Sequence, residues 1–292
     1  KIKRIAYYDD RFYDILFASG KSDFFKSVTT VTGTYYKPGL FQWVKDVGGE
    51  NADRISFEAK RRGSRVHKAL QVASIGCPVW LEREDFEIQD PELVAQTRYV
   101  RAYCEKNSIP YYVLHDQDEQ EIVNKWEQFY MVIREGYKLK QREQVAYSLK
   151  YRYACTLDEE AEYQEGVVLP NGRNPIRIPV SGIYIADDKT GGEYREHKLQ
   201  IAANAEAYEE LTGDQVQGVF LRYWDSTIKT GKVPGLKIIY LTRDEWKVEL
   251  EQFLHLAAMF DYDHRDFQPK IRSFKPMIHV PELYGTPYGR QT

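Results

Sequence analysis

Asp187 and Lys189 are the residues of this chain whose types and spacing most directly suggest chemistry. They follow the apolar run Ile-Tyr-Ile-Ala and precede a glycine pair. Side chains two positions apart in a strand point to the same face. A carboxylate at a strand end can bind Mg²⁺ or Mn²⁺, and an ammonium beside it can position a water molecule or offset developing charge. The same residues are also common in solvated turns, so the pattern alone leaves both interpretations open.

A second acidic strand end comes earlier in the chain. Residues 143–158 have the composition of a strand pair that ends at Asp158, 29 positions before Asp187. If the two strands are neighbours in one sheet, both carboxylates can reach a single metal ion. A helix follows Asp187 at once, and we predict that it ends at Gly213.

A basic helix is predicted at residues 53–73. It carries five basic residues around His67, namely Lys60, Arg61, Arg62, Arg65 and Lys68. Such a cluster is typical of a helix that faces phosphate groups. A solvated basic face has the same composition, so the cluster alone does not decide between them.

The periodicity of apolar residues predicts the helices and strands that must position these side chains. Apolar spacing predicts helices at residues 40–47, 91–107 and 118–136, the last two with buried faces. Those faces are expected to hold Leu93, Tyr99, Val100 and Tyr103 in the first, and Ile122, Trp126, Phe129 and Ile133 in the second. Strands are predicted at residues 216–224 and 236–241, before a helix that begins with the capping box Thr242-x-x-Glu245. Residues 27–33 favour a strand by propensity, although Ser27 can equally cap a helical turn.

The composition is that of an ordinary globular protein, with 292 residues of which 42% are hydrophobic and 29% charged. No run approaches the roughly 18 apolar residues of a membrane span, so no membrane partner is expected. The three cysteines are widely spaced, which argues against a disulfide framework and an iron–sulfur cluster. The N-terminal apolar segment is too short for a secretory signal, and we expect a cytoplasmic protein. A net charge of -3 argues against a uniformly basic nucleic-acid binder but leaves a local basic groove open.

Taken in order, these motifs resemble the PD-(D/E)XK nuclease superfamily, in the branch of the RecB nuclease domain and of phage-type and mitochondrial single-strand exonucleases. That branch has a Gly-x-x-x-His helix, a glutamate, Gly-x-x-Asp, Asp-x-Lys and a Gln-x-x-x-Tyr helix. The matching residues here are Gly63 to His67, Glu143, Asp158, Asp187 to Lys189, and Gln200. The resemblance spans about residues 27–260. Cys155 replaces the usual glycine and Asn204 the usual tyrosine, for which Tyr208, one turn later, is the candidate substitute.

The resemblance implies an α/β fold with a restriction-endonuclease-like core, in which helices flank a mixed central β-sheet, together with a helical N-terminal part and insertion. It implies a nuclease core at residues 53–268 with a helical insertion at about 91–136, between an N-terminal arm and lead-in at 1–52 and an extended tail at 269–292. It also implies roles for named residues. Asp158, Asp187, His67 and Glu143 would bind Mg²⁺ or Mn²⁺, Lys189 and Gln200 would complete the catalytic set with the two aspartates, and Arg61, Arg62, Arg65 and Lys68 would contact DNA.

The implied activity is metal-dependent hydrolysis of DNA, favouring an exonuclease that acts on ends or single strands in phage replication, recombination or repair. The implied partners are DNA and phage or replication proteins, and the implied location is the host cytoplasm. Two alternatives stay open. One is a nuclease-fold protein that binds DNA as part of a larger assembly without cleaving it. The other is a metal-dependent hydrolase of small phosphates.

Overall fold

The computed structural model describes residues 2–7, 10–81, 91–114, 116–224 and 236–265. Two sequence expectations lie outside these ranges. One is the loop with Lys229 and Lys232, and the other is the extended tail at residues 269–292. The expected boundary after residue 268 lies there as well.

Twelve strands are present in the described residues. They are β1 (Ile2–Tyr7), β2 (Asp10–Leu16), β3 (Ser22–Ser27), β4 (Val79–Leu81), β5 (Tyr112–Leu114), β6 (Tyr137–Ser148), β7 (Tyr153–Tyr163), β8 (Val168–Leu169), β9 (Ile176–Arg177), β10 (Gly182–Lys189), β11 (Val216–Trp224) and β12 (Leu236–Thr242). The helices of the same ranges are α1 (Val28–Gly33), α2 (Pro38–Val47), α3 (Gly49–Ser74), α4 (Pro91–Asn107), α5 (Gln117–Ile133), α6 (Arg195–Thr212) and α7 (Arg243–Asp263).

The fold is mixed α/β, built on a central eight-stranded mixed sheet with the order β1-β2-β3-β7-β10-β11-β12. β6 pairs with β7 in addition, antiparallel and along nearly its whole length. The pairings of β3 with β7 and of β10 with β11 are parallel, and the others are antiparallel. This architecture is compatible with the expected restriction-endonuclease-like core. The strands β1, β2 and β3 thus belong to the central sheet, where we expected an N-terminal arm.

Two hydrophobic cores cover the two faces of this sheet. Helices α1, α6 and α7 pack over one face, and α3 and α5 pack over the other. The alternation along β10 shows how the strand serves both, because Ile185 belongs to the first core while Tyr184 and Ala186 belong to the second. Asp187 therefore continues the face of Ile185, and Asp188 continues the face of Tyr184.

Local signals in the sequence predicted several element ends correctly. Gly213 ends α6 in the left-handed conformation, with φ of 80°. Thr242 and Glu245 form the expected capping box at the start of α7. Ser27 caps α1 by accepting a hydrogen bond from Thr29 N, so residues 28–33 are helical despite their β-branched side chains. Burial of Val28 and Val31 against α6 and α7 outweighs their strand propensity.

The helix at residues 91–107 forms as predicted and Val100 is half-buried, but the predicted burial of Tyr99 and Tyr103 is wrong, while the side chain of Leu93 lies outside the described part of the structure. Tyr99 is 70% exposed and Tyr103 is 51% exposed, whereas Cys104 is buried. A tyrosine ring can remain partly in water because its hydroxyl is polar, so its spacing is a weaker guide to burial than that of leucine. The predicted face of α5 is confirmed, since all four of its residues are buried. Within the described ranges, none of the helices has the length and apolar character that crossing a bilayer requires.

Candidate active site

A cavity of about 730 Å³ opens at a fork in the central sheet. β3 pairs with residues 153–154 of β7, and β10 pairs with residues 159–163 on the same edge. Between the two pairings, residues 155–158 have no strand partner on that edge within the described part of the chain. Helices α3 and α6 line the cavity from either side, and Asp158 stands at the fork itself. The expected position of Asp158 and Asp187 on neighbouring strands is thus confirmed.

Three potential metal ligands meet at this fork. His67 of α3, Glu143 of β6 and Asp158 of β7 each offer one ligand atom, and these atoms lie within 4.8 Å of one another. His67 Nδ1 is 3.4 Å from Asp158 Oδ2 and 3.9 Å from Glu143 Oε1. The sequence separates His67 from Asp158 by 91 positions, so only the fold brings them together.

The backbone of Glu143 is unusual for a strand residue. Its φ is 55°, in the left-handed region that residues with a side chain seldom adopt. The conformation occurs inside β6, between the paired residues Arg142 and Gln144. Such a backbone costs on the order of 1–3 kcal/mol and persists only when surrounding contacts impose it, most often at functional sites. The strain accompanies the placement of this carboxylate beside His67.

Asp187, Lys189 and Gln200 form a second group in the same cavity. Lys189 Nζ lies 2.6 Å from Asp187 Oδ2 and donates a hydrogen bond of 3.2 Å to Gln200 Oε1. The predicted strand alternation places Asp187 and Lys189 on one face, and the first turns of α6 bring Gln200 to the ammonium. The main-chain N–H of Asp188 donates to Asp158 Oδ2 at 2.9 Å, which connects the two acidic strand ends.

The charges in the cavity are strongly coupled. Burial raises the pKa of Asp187 to about 7, against the opposing charge of Lys189 and with a contribution from the carboxylate of Asp158. Burial also raises the pKa of Asp158. Burial lowers the pKa of Lys189, but the carboxylates of Asp187 and Asp158 outweigh it, so this pKa lies above its usual value. One ammonium therefore faces two carboxylates, of which Asp187 is buried and Asp158 is 14% exposed.

Behind the cavity, on the other face of the sheet, four charged side chains form what we call the charge network. Its members are Arg142, Glu159, Asp188 and Arg222. All four are buried. Arg222 donates two hydrogen bonds to Glu159, at 2.8 and 2.9 Å, and two to Asp188, also at 2.8 and 2.9 Å. Arg142 contacts both acids as well, and Trp224 Nε1 donates to Asp188 at 2.7 Å.

Sequence reasoning missed this network, although one signal was available. Arg222 interrupts the apolar run of β11, and a charged residue in a buried strand requires a partner of opposite charge. The arginines hold the pKa of Asp188 below its usual range despite its burial. The two adjacent aspartates therefore have different surroundings, since Asp187 faces the cavity group and Asp188 faces two guanidinium groups.

The basic residues of α3 separate into two groups. Lys68 lines the cavity, and so does Lys60. Arg62 instead donates to the main-chain oxygen of Thr190 at 2.7 Å, and Arg65 pairs with the buried carboxylate of Glu119. Arg61 lies 3.6 Å from Glu58. Of the four residues expected to contact DNA, the structure brings only Lys68 into the cavity.

Two further arginines line the cavity without a signal in the sequence motifs. Arg4 on β1 lies directly opposite Tyr13 on β2 in the strand register, and Arg11 lies two residues before Tyr13. The Tyr13 hydroxyl is 2.9 Å from Thr156 Oγ1 on β7, which fixes this hairpin to the fork. The N-terminal hairpin thereby adds positive charge to the cavity wall.

The positions that depart from the resembled family also lie at this site. Cys155 is buried, lines the cavity and does not have a positive φ, so its side chain is compatible with the backbone. Asn204 lines the cavity too. Tyr208 does not take the place of the usual ring, because it is buried and its hydroxyl donates to Glu160 at 2.7 Å. His197, which the motifs did not single out, also lines the cavity. Its burial, and to a lesser extent the nearby charge of Lys189, lowers its pKa to about 4.

Comparison with models of protein families finds no match, and comparison with curated proteins finds no relative. Among solved structures, one similar chain is the crystal structure of a "Putative exonuclease" from Eubacterium rectale. The sequence identity is 14% and the TM-score is 0.34, over 57% of this chain and 64% of that chain. The matched part of the neighbour is thus less than two thirds of its length. The case for an activity depends on the residues of the site itself.

Proposed function

We propose that this protein is a metal-dependent nuclease that hydrolyses phosphodiester bonds in DNA. The observation that carries the proposal is the convergence of His67, Glu143 and Asp158 in one cavity with the pair Asp187 and Lys189. Phosphoryl transfer requires that negative charge is neutralised and that the reacting groups are positioned. This cavity offers acidic oxygen ligands, a fixed ammonium and a basic wall for these two tasks.

The donor set fits a divalent cation. It combines one imidazole nitrogen with carboxylate oxygens, a set that favours Mg²⁺ or Mn²⁺ over softer metals when oxygen predominates. Asp187 is buried and its neighbour Asp158 is partly buried, and a cation would offset the mutual repulsion of the two carboxylates. His67, Glu143, Asp158 and Asp187 would hold the ion. When bound, it would neutralise charge on the scissile phosphate and lower the pKa of a nearby water molecule.

The remaining residues of the cavity would bind and orient the substrate. Gln200 and Asp187 hold the Lys189 ammonium, which would offset negative charge on the phosphate as the bond breaks. The basic wall would bind flanking phosphates through Lys60, Lys68, Arg4 and Arg11. Arg61 is a candidate for a phosphate contact outside the cavity, whereas Arg62 and Arg65 would act mainly through Thr190 and Glu119.

The finer assignment draws on the ordered motifs of residues 27–260. We propose an exonuclease that acts on DNA ends or single strands, with a nuclease core at residues 53–268 and an N-terminal lead-in at residues 1–52. A role in phage replication, recombination or repair, with partners from those processes in the host cytoplasm, follows from the same resemblance.

The test is cleavage of linear and circular DNA, in single- and double-stranded form, with Mg²⁺, Mn²⁺ or EDTA. We expect metal-dependent loss of linear strands with circular strands intact, and loss of this activity in Lys189→Ala. Cleavage of circular DNA would show that the protein acts as an endonuclease and not as an exonuclease. DNA binding without cleavage in every condition would refute the proposal in favour of a non-cleaving DNA-binding protein, and hydrolysis of nucleotides alone would indicate a small-phosphate hydrolase.

A further inference from the structure

Helix α3 carries a large aromatic side chain outside the cavity, on the face that lines it. Phe57 is 59% exposed. It lies three residues before Lys60 and seven before Ser64, and both of these line the cavity. Residues with these spacings share one side of a helix. We call Phe57, Lys60, Ser64, His67 and Lys68 the α3 stripe.

The α3 stripe combines an aromatic face with positive charge. The Arg61 guanidinium lies 5.6 Å from the centre of the Phe57 ring. The neighbouring helix α2, which packs against α3, repeats the arrangement, with Lys45 Nζ 4.9 Å from the ring centre of the exposed Phe41. No residue of α2 is buried. Exposed rings beside cations are the combination by which proteins bind single-stranded nucleic acid, through stacking on bases and attraction to phosphates.

The dimensions of the stripe suit a nucleic-acid strand that enters the cavity. Phe57 precedes His67 by ten residues, which corresponds to about 15 Å along a helix axis. At the roughly 3.4 Å rise per nucleotide of a stacked strand, this distance corresponds to about four nucleotides, and a more extended strand covers it with fewer. A strand with its scissile phosphate beside His67 can therefore place a base on Phe57 while its intervening phosphates pass Lys60 and Lys68.

We propose that the α3 stripe binds single-stranded DNA and that Phe57 stacks on a base no more than about four nucleotides from the cleavage position. This inference rests on the proposed nuclease function and adds the form of the substrate. The positive charge of the stripe, and its continuity with the cavity, favour a nucleic acid over an apolar protein surface. A duplex is a poorer occupant because its base faces are already stacked on one another.

The test measures binding in EDTA, so that cleavage does not take part. The probes are a fluorescent oligo-dT of about 20 nucleotides, an abasic strand of the same length, and the corresponding duplex. Phe57→Ala should weaken oligo-dT binding about 5- to 150-fold, which is the range that stacking on one base provides. It should leave abasic-strand and duplex binding nearly unchanged, because those probes offer no free base to the ring.

Two further variants separate stacking from general hydrophobic contact. Phe57→Tyr keeps an aromatic face and should bind oligo-dT like the wild type, whereas Phe57→Leu keeps an apolar side chain and should bind like Phe57→Ala. The matched control is Tyr262→Ala on α7. Tyr262 is 70% exposed with the Arg265 guanidinium 5.2 Å from its ring centre, and it does not line the cavity. The Tyr262→Ala substitution should leave binding of all three probes unchanged.

Several outcomes would overturn the inference. Equal losses for oligo-dT and the abasic strand would exclude stacking, and full binding by Phe57→Leu would show an apolar contact instead. A wild type that dimerises through Phe57, detected by light scattering with and without the substitution, would assign this surface to a second copy of the chain. The proposed function fails separately. If the protein does not cleave DNA but its binding depends on Phe57 as described, only the nuclease assignment is refuted. If the protein cleaves DNA and Phe57→Ala binds all probes like the wild type, only the stacking role of Phe57 is refuted.

Discussion

Replacement of Arg222 by methionine should strongly destabilise the fold. Methionine has a similar length but cannot donate a hydrogen bond, so the substitution removes four charge-assisted hydrogen bonds. It leaves the buried carboxylates of Glu159 and Asp188 with Arg142 as the one positive charge of the charge network. The buried site then carries an uncompensated negative charge in a region with little water.

The size of the effect can be estimated from this geometry. Removal of one partner from a buried ion pair costs about 3–5 kcal/mol, largely because the other charge stays buried. At about 2–4 °C per kcal/mol for a protein somewhat smaller than this one, the melting temperature should fall by about 6–20 °C. Adding Glu159→Gln removes the excess charge, so the double variant should lose less stability than the sum of the two single variants.

The measurement is the free energy of unfolding from urea titrations followed by far-ultraviolet circular dichroism. The control is Arg152→Met, since Arg152 makes an equally short contact of 2.8 Å with Asp23, but at the surface. An exposed ion pair contributes about 0–1 kcal/mol. If Arg222→Met costs no more than Arg152→Met, the charge network is not desolvated and the reasoning is refuted.

Three further predictions concern the site and the pH dependence of stability. Lys189→Ala should lower metal-dependent DNA cleavage by about 10²–10³-fold, while Lys140→Ala on β6 should cleave like the wild type. His67→Ala should weaken Mn²⁺ binding by at least about tenfold, measured by isothermal titration calorimetry; unchanged affinity would exclude His67 as a ligand. Burial raises the pKa of Glu209, but hydrogen bonds from Arg243, the main chain of Val216 and Lys247 outweigh burial, so the pKa lies below its usual value. The ionised Glu209 therefore stabilises the fold above its unfolded pKa of about 4.5, and this stabilisation is lost as the pH falls through the folded pKa. The stability lost in Glu209→Gln should shrink as the pH falls from about 7 to about 3, and a constant loss would contradict the ion-pair explanation.

The parts of the fold that the sequence predicted correctly depend on short-range rules. Strand alternation predicted that Asp187 and Lys189 share a face, and they are an ion pair in the structure. Cap chemistry predicted the end of α6 at Gly213 and the start of α7 at Thr242. These features depend on residues within a few positions of one another, so one sequence suffices to find them.

The parts that the sequence did not predict depend on contacts between distant segments. Arg65 looks like a phosphate-binding residue until α5 brings Glu119 to it, 54 positions later. The charge network likewise requires β6, β7, β10 and β11 to lie side by side, and no local pattern specifies that order. Arg4 and Arg11 reach the cavity only because β3 attaches the N-terminal hairpin to β7.

The two adjacent aspartates of β10 also determine how that strand can align with its neighbours. A shift of one residue in one direction would move Lys189 into the position of Asp188, beside Arg142 and Arg222, with Glu159 as the one negative charge of that group. A shift in the other direction would move Ala186 to the position of Asp187 and Asp188 to that of Lys189. Either misalignment loses the cavity pair, and the first also buries three like charges together. The charge network therefore disfavours the first misalignment, whereas the second keeps an aspartate, Asp187, beside the two arginines and loses only the cavity pair.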